Sequence, residues 1–106
     1  MTAEEKQKVL QELGGIPEEF YDELLTEFKK QHTAQIVEIR EALGGGDLAK
    51  ARTAAHSLSG SAANLRLYKT HQAAKALELS LKEAQARDVI DGNFKRLEAI
   101  DPENNE

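Results

Sequence analysis

The sequence predicts an all-α fold, an antiparallel four-helix bundle with a short additional helix at its N-terminus. Ala, Leu, Glu and Lys, all good helix formers, dominate the chain, while β-branched residues are scarce. The only prolines are Pro17 and Pro102. Apolar residues recur at helical spacing, and no stretch shows the sustained alternation of a half-buried strand.

Thr2 followed by Glu5 has the spacing of a capping box, which predicts a first helix running to Leu13. Gly14 and Gly15 stop it. Pro17 suits a first helical turn, with Glu18 and Glu19 beside the positive end of the helix dipole. A long helix to about Leu43 follows, with Phe20, Leu24, Phe28, Ile36, Ile39 and Leu43 as its apolar stripe; His32 fills a gap in that stripe as a satisfied, partly buried side chain. Gly44, Gly45 and Gly46 form a turn, and Asp47 caps the next helix, whose inner face carries Leu48, Ala51, Ala55, Leu58, Ala62 and Leu65. After a break near Arg66 to Tyr68 comes a helix with Ala73, Ala74, Leu77, Leu81 and Ala84 inward. Asp88 caps a last helix bearing Val89, Ile90, Phe94, Leu97 and Ile100. The expected organisation is an N-terminal helix over 1–15, a bundle over 16–100 and a frayed tail over 101–106.

Composition narrows the function classes. The 106 residues suit one domain. Hydrophobic residues at 40 % and charged residues at 31 % fit a globular chain rather than a disordered one. A net charge of −5 argues against nucleic-acid binding. With no cysteine, disulfides, thiolate nucleophiles and cysteine-ligated metals are excluded. The opening MTAEEKQKVL lacks the apolar stretch of a signal peptide, and no run approaches the roughly 20 residues of a membrane span. The expectation is therefore a soluble, cytoplasmic, free-standing monomer.

Chemistry concentrates between Ala54 and Leu65, in AAHSLSGSAANL. On a helical wheel the neighbours of His56 are Arg52, Ser59, Gly60 and Ala63, beside the apolar stripe, so His56 belongs on the outer surface. Gly60 costs roughly 1 kcal/mol in a helix interior relative to Ala, and its place one turn from a histidine suggests close approach by a partner backbone. An ordinary exposed histidine with a glycine at a helix-packing crossing fits this pattern equally well. A helical hairpin turning near Leu67 sets His56 against Glu78, Ser59 against Lys75 and Arg52 against Lys82. A carboxylate accepting from Nδ1–H would fix the imidazole tautomer, leave the Nε2 lone pair outward and stabilise positive charge on the ring, as a nucleophilic histidine requires. Taken alone, Glu78 could equally be a solvated carboxylate paired with Lys75 or Lys82.

HSLSGSAANL resembles the signature of histidine-containing phosphotransfer (HPt) domains, H-x-L-K-G-S followed by small residues. The resemblance takes in FYDELLTEFKKQHTAQIVEIREAL, the Gly46-Asp47 turn and AKALE, and spans roughly Ile16 to Ile100. It implies a phosphorelay intermediate. His56 would accept a phosphoryl group at Nε2 from a receiver-domain aspartyl phosphate or from a sensor kinase, and pass it on. The orienting carboxylate or amide lies 22 residues downstream in the family, which is Glu78 here. Gly60, with Ser61 and Ala63, would form the docking surface for the receiver, which would bring the magnesium; the chain needs no cofactor of its own.

Two positions depart from the family pattern. Ser59 stands where the family has a lysine that helps neutralise the phosphoryl oxygens, and Arg66 replaces a glycine. Lys75, with Arg52 as second candidate, is expected to supply the missing charge, or Ser59 hydrogen-bonds a phosphoryl oxygen. A degenerate domain acting as a helical adaptor is the alternative reading. No phosphate-binding G-x-x-x-x-G-K-[ST] loop is present, so the chain is no self-sufficient kinase. Arg52, Lys75 and Lys82 should make the surroundings of His56 basic against an acidic background, which favours docking onto an acidic receiver pocket. His71 is expected at the surface without a function, and the absence of an i,i+4 pair of histidines argues against a metal site.

Overall fold

The computed structural model describes residues 2–102; the tail expected to fray lies, from 103 onward, outside the described residues. The described residues form five helices and no strand: α1 (Ala3–Glu12), α2 (Glu18–Gly44), α3 (Leu48–Asn64), α4 (Tyr68–Lys82) and α5 (Arg87–Glu98). The last four make an antiparallel bundle in which α3 packs on both α2 and α4, and α4 on α5. α5 closes against α2, where Arg40 pairs with Glu98 and Arg87 donates to the Leu43 carbonyl at 2.7 Å. Tyr21, Ile39, Leu58, Leu77, Ile90 and Leu97 are fully buried at the centre. α1 buries Val9 and Leu10, and ties to α2 through Lys6–Glu18 at 3.0 Å and to the α3–α4 turn through Glu12–Arg66 at 3.2 Å.

Local chemistry sets the helix ends. Thr2 accepts from the Glu5 amide and Asp47 from the Lys50 amide, so two of the three side-chain caps expected from the sequence are made. Four helices end in one closure, a left-handed residue followed by an amide that reaches back five residues. Gly14, Gly46, Arg66 and Ala84 hold the left-handed position, and Gly15, Asp47, Leu67 and Gln85 donate to Leu10, Ala42, Ala62 and Ser80. α4 therefore stops at Lys82, and Ala84 is exposed instead of facing the core. At the start of α5, Ala86 is the cap and Asp88 lies inside the first turn.

The stripe of α2 begins one residue later than expected. Tyr21 is the buried aromatic, its hydroxyl donating to the Leu65 carbonyl at 2.6 Å, while Phe20 is half exposed. A tyrosine can fill core volume and also satisfy a helix-end carbonyl, which phenylalanine cannot. Leu48 and Val89 are likewise exposed at helix starts.

His32 is buried as expected but not satisfied: Nε2 has no hydrogen-bond partner among the described residues. Burial lowers its pKa, and the nearby Asp101 charge opposes this only in part. With the folded value below the unfolded one, stability is full above the unfolded value and is lost as the pH falls from there toward the folded value. His32→Leu removes an orphaned polar atom worth about 1–3 kcal/mol. The urea midpoint of this variant should rise, and rise more at pH 5 than at pH 8; a lower midpoint at both would show that contacts of the ring, such as that with Phe28, dominate.

Candidate functional site

The left-handed turn at Arg66 folds α4 back along α3, and small residues bring the two helices close: Ala51, Ala55 and Ala62 on α3, Ala74 on α4, all fully buried. In that register His56 and Glu78 meet across the seam, with Nδ1 2.7 Å from Oε2. A carboxylate can only accept, so Nδ1 carries the proton and donates, and the Nε2 lone pair is left free. The His56 side chain is 72 % exposed and that of Glu78 only 9 %. A buried anchor thus holds an imidazole that faces solvent. Lys75 donates to the other oxygen of Glu78 at 3.3 Å. Burial raises the Glu78 pKa, but the hydrogen bonds from His56 and Lys75 outweigh it, and the net shift is downward.

His56 stands at a shallow cavity of about 550 Å³ lined by Ala49, Arg52, Thr53, Lys75, Glu78 and Lys82. Arg52, expected near the histidine, is there, and so is Lys82. On the other flank of α3, an apolar groove of about 580 Å³ runs between α2 and α3, lined by Ile16, Phe20, Leu24, Phe28, Ser61 and Asn64 among others. The sequence reading missed this groove because it counted Phe20 as core; the signal was Tyr21, which competes for the inward position.

Ser59 departs from its expected placement. It is buried, and it faces His71 rather than Lys75; its hydroxyl and its carbonyl each lie 3.0 Å from His71 Nδ1. A hydroxyl enclosed in the seam is not presented to a phosphoryl group. Its partner His71 is half-buried and structural, a role with no signature in the sequence. Gly60 is exposed, and a Cβ added there would meet no atom within 4 Å, so no helix crossing within the chain demands glycine. Ser61 and Ala63 are partly exposed, with the Ser61 hydroxyl accepting from Gln31 at 2.9 Å.

An exposed imidazole of fixed tautomer is thus braced by a buried carboxylate on a rigid bundle helix and bordered by cations. The Hpt domain family model matches residues 23–100, and the chain belongs to that family. Hpt domains are phosphocarriers rather than kinases; they work in phosphorelays and interact with receiver domains and kinases. No curated protein and no solved structure matches the chain. No helix among the described residues is long and apolar enough to cross a membrane.

Proposed function

We propose that this protein is a cytoplasmic phosphorelay intermediate that takes a phosphoryl group onto His56 from a receiver-domain aspartyl phosphate, or from a sensor kinase, and passes it to another receiver. Nε2 attacks phosphorus, the P–O bond to the aspartyl carboxylate breaks with its electron pair, and an Nε2–P bond forms. The imidazolium keeps its proton on Nδ1, where Glu78 balances the charge. Lys75 and Arg52 neutralise phosphoryl oxygens in place of the family lysine, and the partner brings magnesium. The receiver docks over Gly60, Ser61 and Ala63, and the adjoining groove supplies apolar contact area. The observation that carries this reading is the 2.7 Å bond from a largely exposed His56 to a nearly buried Glu78.

Incubation with a panel of phosphorylated receivers tests it. At least one should transfer an acid-labile, alkali-stable phosphate that mass spectrometry locates on His56. Folded protein that takes no label from any receiver or kinase would sink the carrier reading in favour of a non-catalytic adaptor.

A further inference from the structure

Three cations, Arg52, Lys75 and Lys82, line the cavity at His56 against the single carboxylate of Glu78. Lys75 is bonded to Glu78, but among the described residues Arg52 and Lys82 have no side-chain partner. In a chain of net charge −5, two unpaired cations converge on one concavity with a nucleophilic nitrogen at its wall. Unneutralised charge in a cleft raises the local concentration of anions of opposite sign. At about 550 Å³ the cavity admits a phosphate-sized anion with room for its leaving group.

We infer that the cavity is also a binding site for small phosphodonors, and that His56 accepts a phosphoryl group from them directly, with no protein donor and no divalent cation. The inference rests on the reading of His56 as a phosphoryl acceptor. The ligand class is a small anion whose phosphoryl group leaves a group that departs without taking up a proton, such as phosphoramidate or acetyl phosphate. Arg52 and Lys82 hold the non-bridging oxygens. Nε2 attacks phosphorus, and the bond to the leaving group breaks with its electron pair. Ammonia leaves from phosphoramidate, whose nitrogen already carries its protons, and acetate leaves from acetyl phosphate. Nδ1 keeps its proton against Glu78 throughout. The fixed cations do what magnesium does in a receiver, so neither a metal nor a second active site enters the balance.

The test is labelling by phosphoramidate and, separately, acetyl phosphate in excess EDTA, followed by 31P NMR. N-acetylhistidine serves as the unassisted reference. The wild type should label at His56 faster than the reference, with a rate that falls as salt is added. Arg52→Ala/Lys82→Ala, with an unchanged circular dichroism spectrum, should label at least about tenfold more slowly. Lys95→Ala, a charge removed from α5, should label as the wild type does. Labelling by one donor alone assigns that donor. Labelling no faster than the reference, or equally fast in the double variant, overturns the inference. Labelling from a phosphorylated receiver but from neither small donor overturns it and leaves the carrier reading standing. Labelling from none of the three overturns both.

Discussion

His56→Gln should abolish phosphoryl uptake and leave the fold untouched. Glutamine offers no nitrogen lone pair at the place of Nε2, so the loss should reach at least about 10³-fold, down to background. The His56 side chain is largely exposed, and the glutamine amide can still donate to Glu78, so the change in stability should stay within about 0.5 kcal/mol. Radiolabel transfer from a cognate receiver, with thermal unfolding of both proteins, measures both halves. Label persisting in the variant would move the acceptor to another side chain, and a collapsed melting temperature would mean that His56 supports the fold.

Glu78→Ala should come next in size. Without the carboxylate the imidazole loses its brace, its fixed tautomer and the charge that balances the phosphorylated ring, and the transfer rate should fall about 10–100-fold. Glu78→Gln keeps an oxygen that can accept from Nδ1–H but removes the charge, so it should recover part of the loss. Equal rates for alanine and glutamine would assign the effect to charge rather than orientation. The carboxylate also carries a pH signature. Its pKa is lowered in the folded protein, so the stability it lends is present above its unfolded value and is lost as the pH falls through the folded one. The difference in unfolding free energy between the wild type and Glu78→Ala should therefore shrink in acid. A difference that stayed constant would mean that packing, not the ionised pair, sets it.

The bundle was legible because its helices carry apolar residues at helical spacing and because glycine marks two of the turns, at Gly14 and Gly46. The His56–Glu78 pair was legible because a hairpin of known turning point fixes which residues face each other. The turn after α4 hid behind Ala84, which, like Arg66 at the expected break after α3, adopts a left-handed backbone without announcing it. Arg66 is held by its guanidinium, which donates to the Ala63 carbonyl at 3.0 Å and to Glu12. Ser59 was misplaced because a wheel gives a direction but not a partner: the polar neighbour that drew it into the seam, His71, sits on a different helix. Phe20 and Tyr21 could not be ordered by hydrophobicity, since the choice turned on a carbonyl at the end of α3 that needed a donor.

The empty space over Gly60 sets a trade-off between robustness and access. A methyl group there would clash with nothing in the protein and would favour the helix by roughly 1 kcal/mol. The isolated chain would be sturdier with alanine, so the benefit of glycine has to be sought outside the chain, in the fit of whatever meets this face. A design that optimised the monomer alone would fill this position first, and in doing so would trade away the clearance beside the histidine. Thermal robustness is thus a poor proxy for fitness at this position, and screens of variants should score partner exchange alongside melting.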